Sequence, residues 1–355
     1  MRYVSLDKVE SGMQLGYDVY DSHCRTLIGA DSYLTEHYIE RLKEYGFEGV
    51  YIRDEFSEDI EIEYMISPQL RAEGQNCIKR MDIDGCRQTA KKMVEEITAK
   101  ERISLDMNDI RSYDSYTYAH SVNVAVISCM IGIGFQMTQS ELTNLVTAAL
   151  MHDFGKLFIP EEILNKQERL TTEEFEKMKT HSTLSYNFIC ERWDLSSHVK
   201  VAVLFHHENV DGSGYPDGIT GEEQTLMTKI LHVADVYDAL ISKRPYKIAY
   251  SPQEASEYMM SACGTLFDEK VVEMLLKYVP LFPKGTEIQL SDGREGIIYE
   301  NFGTHNLRPV VRLLDGTLLD LEEKDNLMLT ICNPERQEQI SIEKYENERK
   351  QMLGN

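Results

Sequence analysis

Helical periodicity from about residue 69 to residue 280 constrains the fold of this chain more than any other feature. Apolar residues recur there at intervals of three and four, for example over 77–99, 116–131 and 141–152. No strand-like alternation persists in this block. A pattern of this length predicts a domain of packed helices, each with one face in a shared core.

The regions on either side of this block follow other patterns. Residues 1–53 combine short segments broken by glycines with one helix and one strand, which predicts a small α/β unit. After Pro280, short β-like runs alternate with turn signals, which predicts a small β-barrel or sheet. We therefore predict a multidomain, mainly α chain with a regulatory or interaction unit over 1–66, a helical domain over 67–280 and a β-barrel-like unit with a charged tail over 281–355.

Charge and cysteine content narrow the classes of function. The chain has 37 basic and 60 acidic residues, a net charge of −23, which argues against binding to duplex nucleic acid. Any anionic substrate would need local positive charge, and bound metal ions supply it. The seven cysteines are scattered and form no C-x-x-C pair, so a reducing cytosol is expected. We see no signal peptide and no apolar run of membrane-spanning length.

Five histidines and two aspartates of the helical block have the chemistry of a metal centre. Imidazole nitrogens and carboxylate oxygens suit divalent transition metals. A lone histidine on an apolar helix is more often a core residue, so the prediction depends on the whole ordered series. Seven donors exceed the needs of one ion, and an aspartate can bridge, so they predict two ions about 3.5–4 Å apart, as in phosphoryl transfer. The donors are His120, His152, Asp153, His181, His206, His207 and Asp235.

Three motifs in this block closely resemble the HD-GYP domain, a subgroup of the HD phosphohydrolase superfamily. They are HDFGK (152–156), HHENVDGSGYP (206–216) and ADVYDALISKRPYK (234–247), and the resemblance covers roughly residues 70–280. The three motifs in this order are highly specific, whereas an HD pair alone would not be. The resemblance implies an all-helical fold and hydrolysis of cyclic di-GMP to pGpG and often onward to GMP.

The resemblance also implies a ligand set. It assigns one metal to His120, His152, Asp153 and Asp235, and a second metal to His181, His206 and His207, with Asp153 bridging and a hydroxide between the ions attacking phosphorus. Iron or manganese is the expected metal, with zinc, nickel, cobalt and magnesium as alternatives. Some members hold a third metal through a glutamate four residues before the first histidine. Tyr116 occupies that position here, so we predict two metals, and a third site is left open.

Two further residues are expected to act in catalysis beside Asp153. Lys156 follows Asp153 by three positions and is expected to contact the scissile phosphate or to deliver a proton to the leaving oxygen. Asp238 lies three residues after Asp235, on the same helix face, and is expected to orient Lys156 or a bound water.

Four other residues are predicted to bind the substrate together with Lys156. The glycine-rich stretch 211–216 follows the histidine pair directly, and Gly214 permits a close approach of backbone to ligand. Tyr215 is expected to stack on guanine. Arg244 and Lys247 form a basic cluster that suits phosphate or guanine contacts.

These features predict a metal-dependent cyclic-dinucleotide phosphodiesterase with cyclic di-GMP as its substrate. Two alternatives stay open: a catalytically weak protein that binds a cyclic dinucleotide in signalling or scaffolding, and a hydrolase of another cyclic nucleotide. The motifs specify the metal chemistry better than they specify the bases. A homodimer or a signalling-protein partner is expected on general grounds alone.

Overall fold

The computed structural model describes residues 1–20, 25–47, 49–62, 64–100, 116–166, 168–242, 250–301 and 306–332, apart from the side chains of residues 116 and 117. Within these ranges the chain is mainly helical, with small sheets near both ends, as the sequence predicts. None of the described helices combines the length and apolar character needed to cross a membrane.

The central part of the chain is a bundle of helices around one large apolar core. Helix α4 runs through its centre and packs against α5 and α9. Apolar residues cover α4 on all sides and are fully buried from Val124 to Ile127, as expected for a helix enclosed by others. The helices are α2 (Pro68–Lys79), α3 (Ile83–Thr98), α4 (Tyr116–Gly134), α5 (Gln139–Met151), a 3₁₀ turn (Phe154–Phe158), α6 (Glu161–Leu164), α7 (Thr172–Ile189), α8 (Ser197–Phe205), α9 (Leu226–Ile241), α10 (Pro252–Ser261) and α11 (Glu269–Tyr278).

Capping boxes fix the first residues of two helices that carry predicted ligands. At α5 the Thr138 hydroxyl accepts from the Glu141 N–H while the Glu141 carboxylate accepts from the Thr138 N–H. Thr171 and Glu174 form the same reciprocal pair at α7. Because helical rotation is fixed once the first turn is set, these caps determine which side chains face the centre of the bundle.

The N-terminal unit contains a three-stranded antiparallel sheet and one helix. The sheet order is β1-β5-β2, and β3 and β4 pair separately as a hairpin. Helix α1 begins after the N-cap Thr35 and buries Leu42 in a core shared with Val4 and Ile52. The elements are β1 (Arg2–Ser5), β2 (Gln14–Leu15), β3 (Val19–Tyr20), β4 (Thr26–Ile28), α1 (Glu36–Glu44) and β5 (Gly49–Arg53).

The C-terminal unit is an open sheet, so the prediction of a barrel-like unit is not confirmed. Its antiparallel order is β10-β6-β7-β8-β9, and no pairing joins β9 to β10 within the described residues. The edge strands have only two and three residues, too few to form the ladder that closure needs. The strands are β6 (Glu287–Leu290), β7 (Glu295–Glu300), β8 (Val310–Leu313), β9 (Leu318–Asp320) and β10 (Ile331–Cys332).

The two terminal units are in contact. The Tyr3 N–H donates to the Gly285 carbonyl at 2.9 Å, which continues strand pairing from one unit to the other. The Arg312 guanidinium makes a bidentate ion pair with Asp59. Apolar residues of both units, among them Ile297, form a common cluster. The described parts of the two terminal units therefore pack against each other.

Candidate metal centre

Three of the predicted ligands, His152, His181 and His206, are oriented by the same local hydrogen bond. In each, Nδ1 lies 2.7 Å from the backbone carbonyl three residues earlier in its own helix. A carbonyl only accepts, so Nδ1 carries a proton, and in the neutral ring the lone pair belongs to Nε2. All three side chains are buried, and Nε2 of His181 lies close to Nε2 of His206.

The imidazoles of His181, His206 and His207, here called the triad, converge on one point. Nε2 of His181 lies 3.3 Å from Nε2 of His206 and 3.0 Å from Nε2 of His207. His181 and His206 both present lone pairs, which repel at this distance unless a cation or a proton lies between them. The nitrogen atoms are near enough to one another to bind a single ion. This donor set fits a divalent transition metal.

The other predicted ligands form a group beside the triad, here called the aspartate group: His120, His152, Asp153 and Asp235. Nε2 of His120 lies 2.9 Å from Oδ1 of Asp235, and Nε2 of His152 lies 3.3 Å from Oδ2 of Asp153. Among the described residues, Nε2 of His152 and Oδ1 of Asp153 are buried without a hydrogen-bond partner. Unpartnered buried polar atoms are costly, and a bound cation would satisfy both.

Asp153 lies between the two groups. Its Oδ2 atom faces His152, while its Oδ1 atom lies 3.4 Å from Nε2 of His181 in the triad. Oδ2 also accepts from the Lys156 ammonium at 2.6 Å. A carboxylate in this position can offer one oxygen atom to each of two ions, which fits the predicted bridging role.

The histidines of the aspartate group favour the protonated form in the absence of a cation. Burial by itself would lower the pKa of His120, but the carboxylates of Asp235 and Asp238 outweigh it and raise the pKa. Burial opposes protonation of His152 too, yet the adjacent Asp153 raises its pKa to about 10. A proton thus stands in for part of the positive charge of a metal at these carboxylates.

The histidines of the triad favour the neutral form instead. Burial lowers the pKa of His181 to about 4, even though Asp153 acts to raise it. Burial, reinforced by the neighbouring imidazoles, also lowers the pKa of His206 and His207 well below the ordinary value. All three rings are therefore neutral at physiological pH, the form that binds metals.

Asp238 occupies a different position from the expected one. Its Oδ2 atom lies 2.7 Å from Nδ1 of His120 and also accepts from the Ser242 hydroxyl at 3.1 Å. Lys156 pairs with Asp153 instead, so Asp238 does not orient Lys156. The reason is that α9 packs on α4, which brings the third residue after Asp235 against the histidine of that helix. Asp238 is a positioning residue for His120.

The glycine-rich loop, residues 211–218, covers the triad. The Tyr215 ring stacks on His207 with centroids 4.7 Å apart. A Cβ atom at Gly214 would lie 2.3 Å from the Asn209 nitrogen, so only glycine fits against the backbone behind the histidine pair. Gly214 therefore acts through close packing of the loop. The side chain of Tyr116, and all of Arg244 and Lys247, lie outside the described residues.

Sequence reasoning missed two residues that position the ligands. The buried Glu208 carboxylate accepts through Oε1 from the backbone N–H groups of Asp217 and Gly218, which fastens the glycine-rich loop. A Cβ atom at Gly155 would lie 1.9 Å from the His181 carbonyl, so this glycine allows α7 to approach. Glu208 and Gly155 both lie within the quoted motifs, HHENVDGSGYP and HDFGK, and this membership is the signal that the sequence offered.

Comparison with known proteins agrees with this geometry. The profile of the HD domain family matches residues 88–271. The chain is 33% identical over 228 residues to a cyclic di-GMP phosphodiesterase of Pseudomonas aeruginosa and 32% identical over 231 residues to a cyclic di-GMP phosphodiesterase response regulator of Xanthomonas campestris. These alignments cover 63% and 61% of this chain, but only 55% and 61% of the relatives.

A third relative is named for another substrate. A 3′3′-cGAMP-specific phosphodiesterase of Vibrio cholerae is 33% identical over 168 residues, covering 47% of this chain and 36% of that protein. The chain thus spans about half the length of the curated relatives that it matches, or less.

Proposed function

This chain belongs to the HD domain family, and we propose that it is a metal-dependent phosphodiesterase that hydrolyses cyclic di-GMP, with pGpG or GMP as the end product. The observation that carries the proposal is the position of Asp153, whose two oxygen atoms face two separate groups of buried imidazoles. The names of relatives from Pseudomonas and Xanthomonas support the choice of substrate.

Two divalent cations, iron or manganese, fit the donors of this centre. The aspartate group would hold one, and the triad with Asp153 would hold the other. When bound, such ions lower the pKa of a water molecule and balance the negative charge of a phosphodiester. The buried, preoriented imidazoles would hold them without rearrangement of the helices.

The side chains around the centre would bind and orient the substrate. The Lys156 ammonium lies at Oδ2 of Asp153 with about a fifth of the side chain exposed, so it reaches both the centre and the solvent. It would contact a phosphate oxygen and donate a proton to the leaving oxygen. Asp238 would keep the His120 ring oriented, and the Tyr215 ring would form one wall of the guanine site. Arg244 and Lys247 are proposed as further phosphate or guanine contacts.

The first experiment combines metal content with turnover. The protein is purified without oxygen, its metals are counted per chain, and cyclic di-GMP is followed by chromatography. We expect about two ions per chain and conversion to pGpG or GMP, both lost in the double variant His152→Ala, Asp153→Ala. His198→Ala, which removes an exposed histidine at the start of α8, is the control and should keep both.

Two other outcomes would contradict the proposal. Full metal content with no turnover of cyclic di-GMP, but with turnover of 3′3′-cGAMP, would reassign the substrate to the one that the Vibrio relative is named for. Nucleotide binding without metal or turnover, even after iron or manganese is added, would favour a signalling or scaffold protein.

We also propose that the terminal units, 1–66 and 281–355, together regulate the helical domain, 67–280. Their mutual contacts through Tyr3 and Arg312 support joint action. Location in the cytosol and a homodimer or signalling partner stay predictions.

A further inference from the structure

Lys179 of α7 lies close to two aromatic rings beside the metal centre. Its ammonium nitrogen is 5.8 Å from the centre of the Tyr215 ring and 5.2 Å from the centre of the Phe175 ring. Tyr215 in turn stacks on His207 of the triad. One aromatic ring therefore separates this cation from a predicted metal ligand.

Within the described residues, the ion pair of the Lys179 ammonium is too weak to occupy it permanently. It pairs with Glu176 at 2.6 Å, but the Glu176 side chain is 63% exposed and that of Lys179 is 26% exposed. Ion pairs with a solvated partner contribute little and are easily exchanged. The two aromatic rings limit the positions of the ammonium without neutralising it. Lys179 is thus a restrained cation that an anion can reach.

The substrate class provides such an anion. A cyclic dinucleotide carries two phosphodiesters in one ring of atoms, so when one lies at the metals the other lies a short distance away. Lys156 is engaged at Asp153, on the side of the scissile group. In a chain of net charge −23, the second phosphodiester needs a local cation, and Lys179 is one that the described residues place beside the centre. A lysine ammonium is a compact charge well suited to phosphate oxygens.

We propose that Lys179 binds the phosphodiester that is not being cleaved. The inference rests on the proposed function and adds to it a means by which the site distinguishes a dinucleotide from a single phosphodiester. Tyr215 then has a second task, since it places Lys179 as well as packing on His207.

The test compares Lys179→Met with the wild type on cyclic di-GMP and on bis-para-nitrophenyl phosphate, which has one phosphodiester. We expect KM for cyclic di-GMP to rise roughly 10-fold with little change in kcat, the loss of one charge-assisted contact. The ratio of kcat/KM for the two substrates should fall by the same factor. Calorimetry with a phosphorothioate analogue of cyclic di-GMP should show a matching rise in Kd, and Lys179→Arg should restore most of the binding.

The control is Lys92→Met, which removes the same unit charge from an ion pair with Glu73 on the surface of α2 and α3. Lys92→Met should leave KM and Kd unchanged, because the proposed effect comes from the charge at position 179 and not from the net charge of the chain. Equal KM and Kd for Lys179→Met and wild type would overturn the inference while the proposed function stands. Equal losses on both substrates would overturn it too, because Lys179 would then act through the metal ligands of α7. A wild type that turns over neither substrate would remove the proposed function itself.

Discussion

Replacement of Asp238 by asparagine tests how the aspartate group is organised. The buried Asp238 carboxylate lies 2.7 Å from Nδ1 of His120, whose Nε2 atom faces Asp235. By accepting the Nδ1 proton, Asp238 fixes the ring orientation that directs Nε2 of His120 towards Asp235. Its negative charge also makes the imidazole a stronger donor.

The expected loss of metal affinity depends on what asparagine retains of the aspartate side chain. Loss of such an outer partner typically weakens metal binding by about 10–100-fold, or about 1.4–2.7 kcal/mol. Asparagine keeps an oxygen atom that can accept from His120 but loses the charge, so we expect a value near 10-fold. Alanine at position 238 removes both and should approach 100-fold.

The assay is calorimetric titration of the metal-free protein with Mn²⁺, with metal content counted in parallel. Asp238→Asn should weaken one of two binding events and spare the other, because within the described residues the triad nitrogens contact one another and Asp238 contacts His120. Ser242→Ala, which removes only a 3.1 Å bond to the same carboxylate, is the matched control and should have a smaller effect. Wild-type affinity at both sites in Asp238→Asn would refute the reasoning.

Three further changes test the residues around the centre. Gly155→Ala places a methyl group against the His181 carbonyl. We expect it to destabilise the fold by about 1–3 kcal/mol or more, measured by thermal melts, and to weaken metal binding at the triad, measured by metal counts. Glu208→Ala removes the acceptor of two backbone N–H groups in the glycine-rich loop. The free energy of unfolding should fall by about 1–3 kcal/mol, and hydrogen exchange of these two groups should become faster. Unchanged exchange would argue against this role of Glu208. A hydrogen bond from Arg312 lowers the pKa of Asp59 to about 2, so this ion pair stabilises the fold above about pH 4 and is lost as the pH falls towards 2. Arg312→Gln should remove that part of the pH dependence in denaturation series and leave the profile at higher pH parallel to that of the wild type.

The sequence indicated the donors of the centre better than their surroundings. HDFGK, HHENVDGSGYP and the aspartate of α9 supplied five donors, and His120 and His181 in the same ordered series completed the seven side chains that the structure brings together. Their neighbours were harder to foresee. The spacing of Asp238 from Asp235 places both on one face of α9, but its partner, His120, depends on how α4 packs across that face. Periodicity contains no information on which helix lies opposite.

Close approaches between elements could not be predicted from the sequence either. Gly155 is needed because α7 passes within contact of its backbone, and Glu208 is buried because the glycine-rich loop folds back over it. Both depend on contacts between segments that are separate in the sequence. The expected barrel failed for a related reason, since turn signals locate strands but do not show whether the edge strands meet.

The two dipeptides of the centre, His152-Asp153 and His206-His207, have a common physical origin in helix ends. Each first histidine is the C-cap of its helix, α5 or α8, where the last carbonyls lack partners within the helix. The histidine donates Nδ1–H to one of these carbonyls, and the same bond fixes Nε2 towards the centre. The second residue lies beyond the end of the helix, so helical geometry does not fix the direction of its side chain. That side chain can therefore face the metal centre as well. A helix end therefore supplies two adjacent donors where the middle of a helix would direct neighbouring residues apart. This explains why paired donors appear in the sequence directly after apolar helical segments.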